Sequence, residues 1–310
     1  MLLEEDLAGV SPKKDMLLTI GVFDGVHLGH KYLISQLTEH ARQQNLLSGV
    51  VTFRQHPQEI LSPRSKLPYL TNVNEKTKLL KNEGVQAVIP LSFTHELAKL
   101  SARQFVSLLK KQLRMRGIII GPDFALGRNR EGTIDTLHRL GQDMDFNISV
   151  ITPVMANNEM VSSTAIRNAL ADGDLKRVSR LMGRYFSLQG KVTTGTSRGS
   201  GLGFPTANLE IDPRQALPTD GVYATWAYID DKVHQSMTNI GYRPTFTDNK
   251  RTVETYILNY HDSLYGRKIK IDVVEQLRGE KRFGTVEELK KQIAEDVKQG
   301  IAILEPRGSK

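Results

Sequence analysis

Between residue 16 and about residue 182, short apolar runs alternate with longer amphipathic segments, and beyond Gly183 that alternation stops. Repeated strand-then-helix units build a parallel sheet with helices packed on its faces, so the first half is predicted to be a Rossmann-like α/β domain. Its strands are expected at 17–22, 48–53, 86–90, 117–120 and 148–151. Between them, Leu33, Ile34, Leu37 and Ala41 recur at helical spacing, as do Phe105, Leu108, Leu109 and Leu113. The second half has glycine- and proline-rich connections between β-branched or aromatic runs at 192–194, 222–229, 233–240, 252–258 and 269–274, the texture of an antiparallel β-barrel. It closes with Val286, Leu289, Ile293, Val297 and Ile301 on one helical face, opened by Thr285 and Glu288 in capping-box spacing. The predicted organisation is an α/β domain over 1–183, then a β-barrel with a C-terminal helix over 184–310.

A chain of 310 residues exceeds what one core usually organises, in keeping with two domains. No run nears the roughly 18 apolar residues that cross a bilayer, so a membrane transporter is not expected. Glu4, Glu5 and Asp6 stand where a secretory signal needs a basic start and an apolar segment, so neither is export. The absence of cysteine rules out disulfides, thiolate metal sites and cysteine nucleophiles, and fits the cytoplasm. A formal charge of +8 suits an anionic partner. Lysine and arginine are spread along the chain with no basic run interleaved with aromatics, which favours small polyphosphates over nucleic acid. No feature indicates a homo-oligomer.

The segment 21–30, Gly-Val-Phe-Asp-Gly-Val-His-Leu-Gly-His, falls between the first expected strand and the first expected helix. In open α/β sheets ligands bind at the carboxyl ends of strands, and the following helix turns unpaired N–H groups toward an anion. Gly21 and Gly25 let the backbone approach phosphate closely, with Phe23 and Asp24 in the same stretch. His27 and His30, three apart, are placed to face one side of the helix start and donate to a polyphosphate. Taken alone, His-x-Gly-His is equally an ordinary polar turn or a fragment of a metal site, though no third histidine or cysteine stands at ligand spacing. Further on, Ser162, Ser163, Thr164 and Arg167 put hydroxyls and a guanidinium at a helix start, as an N-cap, a triphosphate clamp, or both.

In the second half, Gly195, Gly199, Gly201 and Gly203 lie in one loop that runs into Phe204-Pro205-Thr206-Ala207-Asn208. Such a loop is either a turn between strands or a cradle for phosphates. Thr206 and Asn208 read either as side chains bonded to their own backbone after the proline or as hard-oxygen ligands suited to Mg²⁺.

The segments 21–30 and 162–167, with Thr52-Phe53-Arg54-Gln55-His56-Pro57 and Gly121-Pro122-Asp123-Phe124-Ala125-Leu126-Gly127 in order between them, resemble the bacterial bifunctional riboflavin kinase/FAD synthetase family over nearly the whole chain. The resemblance implies an FMN adenylyltransferase in 1–183 and a riboflavin kinase in 184–310. Riboflavin and ATP would give FMN, and FMN with a second ATP would give FAD and pyrophosphate, with Mg²⁺ as the metal. It further implies that His27 and His30 hold ATP phosphates, that Ser163, Thr164 and Arg167 complete the clamp, and that Asp123 and Phe124 lie by the flavin or nucleotide. Phe124 reads equally as a core residue. Pro-Thr-Ala-Asn is similar to the family's kinase signature, in which the threonine and asparagine ligate the metal. Val-Glu-Thr-Tyr-Ile-Leu at 253–258 resembles the strand that carries the kinase base, which makes Glu254 the acceptor of the ribityl hydroxyl proton. Without the resemblance, Glu254 reads as a solvent-facing strand residue.

The segments 239–246 and 264–267 also look like family segments. The sequence departs from the family at Tyr256 and Ser263, where a histidine and an aspartate are frequent. Two other functions are compatible with the sequence: an adenylyltransferase alone, with the barrel as a flavin-binding module, and a non-catalytic flavin- or RNA-binding regulator.

Overall fold

The computed structural model describes residues 5–7, 9–10, 12–62, 67–152, 154–156, 159–194, 201–242 and 251–305. The chain divides into two compact units, Met1–Ser163 and Thr164–Lys310. In the first, β1 (Met16–Ile20), β2 (Leu47–Phe53), β3 (Ala87–Leu91), β4 (Met115–Ile120) and β5 (Asn147–Val150) form a sheet in the order β3-β2-β1-β4-β5. Every neighbouring pair is parallel, and each strand lies within two residues of its expected place. The direction of winding reverses between β1 and β4, so the loops leaving those strands part and open a crevice at their carboxyl ends.

The helices of this unit are α1 (Leu28–Gln43), α2 (Pro57–Leu61), α3 (Val73–Asn82), α4 (His95–Lys99), α5 (Ala102–Leu113) and α6 (Ile134–Met144). Successive strand side chains point to opposite faces, and this alternation makes two cores. Leu17, Val50 and Ile119 pack with Ile34 and Leu37 of α1 and Leu80 of α3. Leu18, Val51 and Ile118 pack on the other face with Phe105 and Leu109 of α5 and Leu137 of α6. A small hairpin of β6 (Met155–Ala156) and β7 (Glu159–Met160) follows β5.

The second unit takes in α7 (Ser163–Ala171) beyond its first residue and α8 (Leu175–Met182), ahead of a closed barrel. Its strands are β8 (Phe186–Thr193), β9 (Thr206–Glu210), β10 (Gly221–Ile229), β11 (Lys232–Tyr242), β12 (Arg251–Ile257) and β13 (Lys268–Gly279), in the order β10-β11-β12-β9-β8-β13. β9 was not expected as a strand. β8 starts well before 192 because Ser187, Gln189 and Lys191 alternate with buried positions, a period-two pattern that is not an apolar run. Helix α8 lies on β8 and β13 with Leu175, Val178, Leu181 and Met182 buried. Lys176 pairs with Glu275 at 3.0 Å, and the Thr219 N–H donates to the Leu170 carbonyl at 3.0 Å. Packing thus joins 164–182 to the barrel, although their apolar spacing continues the first half.

The barrel interior contains a chain of buried hydroxyls. Thr225 Oγ1 lies 2.8 Å from Ser236 Oγ and from Thr238 Oγ1, which is 3.0 Å from Thr255 Oγ1. Each hydroxyl thereby satisfies its neighbour in a space without water access. The closing helix, α9 (Val286–Leu304), begins at Thr285, whose Oγ1 accepts from the Glu288 N–H at 3.2 Å. The Glu288 carboxylate accepts from Gly284 N–H at 3.0 Å, one residue ahead of the reciprocal bond expected of a capping box. Asp296, Gly300 and Leu304 form the most buried part of α9, flanked by the half-buried Leu289, Ile293, Val297 and Ile301, while Val286 is exposed. Among the described residues, no helix is long and apolar enough to cross a membrane.

Candidate active sites

The loop that follows β1 runs through the crevice into α1. Phe23, Gly25 and Val26 have φ values of 52°, 83° and 38°, a left-handed path that costs a side-chain-bearing residue roughly 1–2 kcal/mol. At Gly25 a Cβ would also stand 2.8 Å from Leu70 Cδ1, so no other residue fits there without displacing that leucine.

What holds this path is the segment 70–76. The Asp24 carboxylate, 5% exposed, accepts from the Leu70 N–H at 2.9 Å and the Thr71 N–H at 3.0 Å. The Gly25 N–H donates to Thr71 Oγ1 at 3.0 Å. Lys76, 4% exposed, donates from Nζ to the Val22 carbonyl at 2.9 Å and to the Phe53 carbonyl at 2.7 Å. Thr52 Oγ1 donates to the same Val22 carbonyl at 2.9 Å. Burial pushes the Lys76 ammonium down to about 8, against the opposing pull of the Asp24 charge.

His27 caps α1, its Nδ1 accepting from the His30 N–H at 3.3 Å. With Nδ1 an acceptor, the ring proton of neutral His27 sits on Nε2. The His27 and His30 rings stack with centroids 3.6 Å apart, so both imidazoles lie on one side of the helix start, as their spacing predicts. The Phe23 ring leans on His30 at 5.0 Å. Gly21 is half-buried below it, where a Cβ would meet the Phe23 ring at 3.0 Å. Ser163, the last residue of the first unit, donates from Oγ to the Asp24 carbonyl at 2.8 Å. Thr164 is exposed in the first turn of α7, and Arg167 is half-buried one turn from Ser163.

The loop after β4, the neighbour of β1, carries the expected flavin residues. Asp123 is exposed, and its carbonyl accepts from Arg130 at 2.9 Å. Phe124 is partly buried against the α5 and α6 core, so the ring serves packing on one side. In the segment that follows β2, His56 caps α2 by accepting from the Gln58 N–H at 3.2 Å. Lys76 and Thr71 were not among the residues singled out from the sequence. Lys76 sits among charged neighbours and resembles any solvated helix residue; its one legible sign is that it shares the buried face of α3 with Leu80, four residues on.

On the barrel, register assembles a second group. Asn208 of β9 stands directly opposite Glu254 of β12, and Thr206 opposite Tyr256. On the other side of β12, Asn239 of β11, the first residue of the family-like segment 239–246, also stands opposite Glu254. Val253, Thr255 and Ile257 are buried, so Glu254 and Tyr256 project from the outer face together with Thr206 and Asn208. The Tyr256 ring meets Phe204 edge-on at 5.4 Å, so the departure from histidine is absorbed in an aromatic contact. A Cβ on Gly201 or Gly203 would meet nothing within 4 Å, which leaves open space over that part of the loop; Gly203 has φ 88°. Gly195, Gly199 and the segment 243–250 lie outside the described residues.

The hydroxyl of Thr206 and the amide oxygen of Asn208 are hard donors on one face, a pair that fits Mg²⁺, with the Glu254 carboxylate on the same face. Among the described residues no group of three or more histidine, aspartate or glutamate side chains is placed to hold a metal ion.

Residues 10–165 match the FAD synthetase family model, and residues 182–304 match the riboflavin kinase model. A relative named bifunctional riboflavin kinase/FMN adenylyltransferase in Escherichia coli strain K12 is 37% identical, covering 92% of both chains. Proteins of the same name in Listeria monocytogenes and Bacillus subtilis are 33% and 31% identical, covering about nine-tenths of each chain. A solved structure described as a macrolide-efflux protein from Streptococcus pneumoniae superposes with a TM-score of 0.87 at 28% identity, covering 96% of each chain. Matches to both halves in their order, and relatives alike across nearly the full length, make this chain a member of the bifunctional riboflavin kinase/FMN adenylyltransferase family.

Proposed function

We propose that this protein makes both flavin cofactors: it phosphorylates riboflavin with ATP to FMN, then adenylylates FMN with a second ATP to FAD. The carrying observation is that two successive family matches span the chain, and the relatives bearing both activities in their names cover nine-tenths of it. We assign the adenylyltransferase to 1–183 and the kinase to 184–310. The adenylyltransferase-only alternative loses ground because the barrel matches the kinase family and presents Thr206, Asn208 and Glu254 on one face.

In the kinase step, a riboflavin hydroxyl oxygen attacks the γ-phosphorus of ATP, Glu254 takes the proton, and ADP leaves. Thr206 and Asn208 would hold Mg²⁺, which when bound neutralises phosphate charge. Gly195, Gly199, Gly201 and Gly203 supply backbone approach to the phosphates. In the adenylyl step, an FMN phosphate oxygen attacks the α-phosphorus of ATP and pyrophosphate leaves, with no proton to remove and no covalent intermediate. Catalysis is then positioning and charge stabilisation. The His27 and His30 imidazoles and the Phe23 N–H contact the phosphates, Gly21 and Gly25 let the backbone pass close to them, and Asp24 keeps that loop in shape. Ser163, Thr164 and Arg167 serve the same step, and Asp123 and Phe124 flank the flavin. The substrates are small molecules, the reactions belong to the cytoplasm, and nucleic acid plays no part.

Product analysis tests the division of labour. His30→Ala should lower FAD formation from supplied FMN by roughly 10²-fold, the usual effect of losing one oriented donor, and spare FMN formation. Glu254→Ala should stop FMN formation from riboflavin and leave adenylylation of supplied FMN intact. Equal losses in both reactions from either variant would contradict the assignment.

A further inference from the structure

We infer that Lys76 is a positioning residue for adenylyl transfer: its buried ammonium sets the orientation of the Val22–Phe23 peptide at the mouth of the phosphate loop. The inference deepens the adenylyltransferase reading and rests on it. A lysine almost wholly removed from water is rare, because its charge loses hydration on burial. Here the lost hydration is replaced by the Val22 and Phe53 carbonyls, at the ends of two adjacent parallel strands, and by the charge of Asp24. Lys76 is therefore the point where β1, β2 and α3 are tied together just below the loop.

A trans peptide is planar, with its carbonyl and N–H pointing in opposite directions. None of the described chain's peptide bonds is cis. Where Lys76 and Thr52 draw the Val22 carbonyl inward, the Phe23 N–H of the same peptide turns away from them. The next anchor repeats the logic. Ser163 holds the Asp24 carbonyl at 2.8 Å, and the Gly25 N–H of that peptide turns the other way, to Thr71 at 3.0 Å. The Phe53 carbonyl takes the second Lys76 bond, and the Arg54 N–H of its peptide turns to the Leu91 carbonyl at 2.9 Å, continuing the ladder to β3. Alternate peptides of the loop are thus pinned by named side chains, and Lys76 is the charged one. A neutral side chain of similar length keeps the buried volume but frees the Phe53 carbonyl and leaves the Val22 carbonyl to Thr52 alone. The left-handed residues that follow, Phe23, Gly25 and Val26, then lose the charged one of the two restraints on the side where the loop begins.

The test uses the full-length protein, whose kinase reaction serves as an internal control for folding. Lys76→Met and Lys76→Gln are assayed for FMN adenylylation and riboflavin phosphorylation, alongside wild type. Lys76→Met should lower kcat/KM for adenylylation by about 10²-fold, as displacement of reacting groups by about 1 Å does, with kinase kcat/KM within twofold of wild type. Lys76→Gln, whose amide still donates to one carbonyl, should recover part of the loss, and the KM for ATP should rise in both variants. Unchanged adenylylation in Lys76→Met, or equal losses in both reactions matched by a falling folded fraction, would overturn the role given to Lys76 while leaving the enzyme's activities in place. A wild-type protein that makes FMN but no FAD would overturn the adenylyltransferase reading itself.

Discussion

Asp24 sits between the glycines and histidines of the first loop, where a free carboxylate would repel the proposed polyphosphate. Its oxygens accept from the Leu70 and Thr71 amides, so its charge serves to fold the loop. Asp24→Ala should leave both amides without that acceptor and lower stability by about 2 kcal/mol, read as a fall in urea midpoint; Asp24→Asn, which keeps one acceptor oxygen, should fall between. Lys76 gives a second prediction at this scale. Unfolded, its amine holds a proton to its ordinary 10.5, and folded only to about 8. Between those values the unfolded chain binds more protons, so this group makes stability rise from about pH 8 to 10.5 and contributes no slope below 8. The rise is of the order of 3 kcal/mol. Unfolding free energies of wild type and Lys76→Met should diverge over that window, and parallel curves would reject the buried charge.

At the level of elements, the barrel face proposed to carry the kinase site depends on register more than on any one contact. Thr206, Asn208, Glu254 and Asn239 come from three strands and meet only because β9 and β11 flank β12 with no slip. A shift of one residue would turn Glu254 inward and Thr255 outward. The hydroxyl chain from Thr225 to Thr255 crosses β10, β11 and β12 inside the barrel and resists such a shift, because any other register would leave buried hydroxyls unpaired. Helix α9 is fastened in a related way. Arg278 of β13 donates to Asp296 from Nε at 3.0 Å and from Nη2 at 2.9 Å, and Gln292 adds a bond at 2.9 Å. With Asp296 only 3% exposed, Asp296→Ala should cost about 3 kcal/mol because it strands the guanidinium. Replacing both partners with apolar residues of similar size should restore much of that loss, and a double-mutant cycle by chemical unfolding checks it.

At the scale of the whole molecule, the boundary of packing and the boundary of sequence texture differ. Leu175, Val178, Leu181 and Met182 of α8 are buried, with α8 lying on β8 and β13. Full burial of such side chains contributes roughly 1.5–3 kcal/mol each. A kinase fragment beginning at 164 should therefore unfold at a markedly higher temperature than one beginning at 184. Equal melting temperatures would show that the two helices do not stabilise the barrel.

The alternation of runs determined much of this architecture by itself, because a buried parallel strand is nearly all apolar and a packed helix repeats its apolar face every three or four residues. The five strands of the first unit and the buried stripes of α1 and α5 were legible on those grounds. So was the clustering of His27 with His30, since local helix geometry alone puts residues three apart on one side. Tertiary structure alone decided the rest. β9 is short and follows a proline, so no periodicity marks it, yet its pairing with β12 is what puts Asn208 opposite Glu254. Lys76 is one charged residue among many until folding carries it under the ends of β1 and β2, and only there does its proton affinity change. Contacts between neighbours in sequence are written in the local pattern; contacts made across 50 residues, as between Lys76 and Val22, exist only once the sheet has chosen its order.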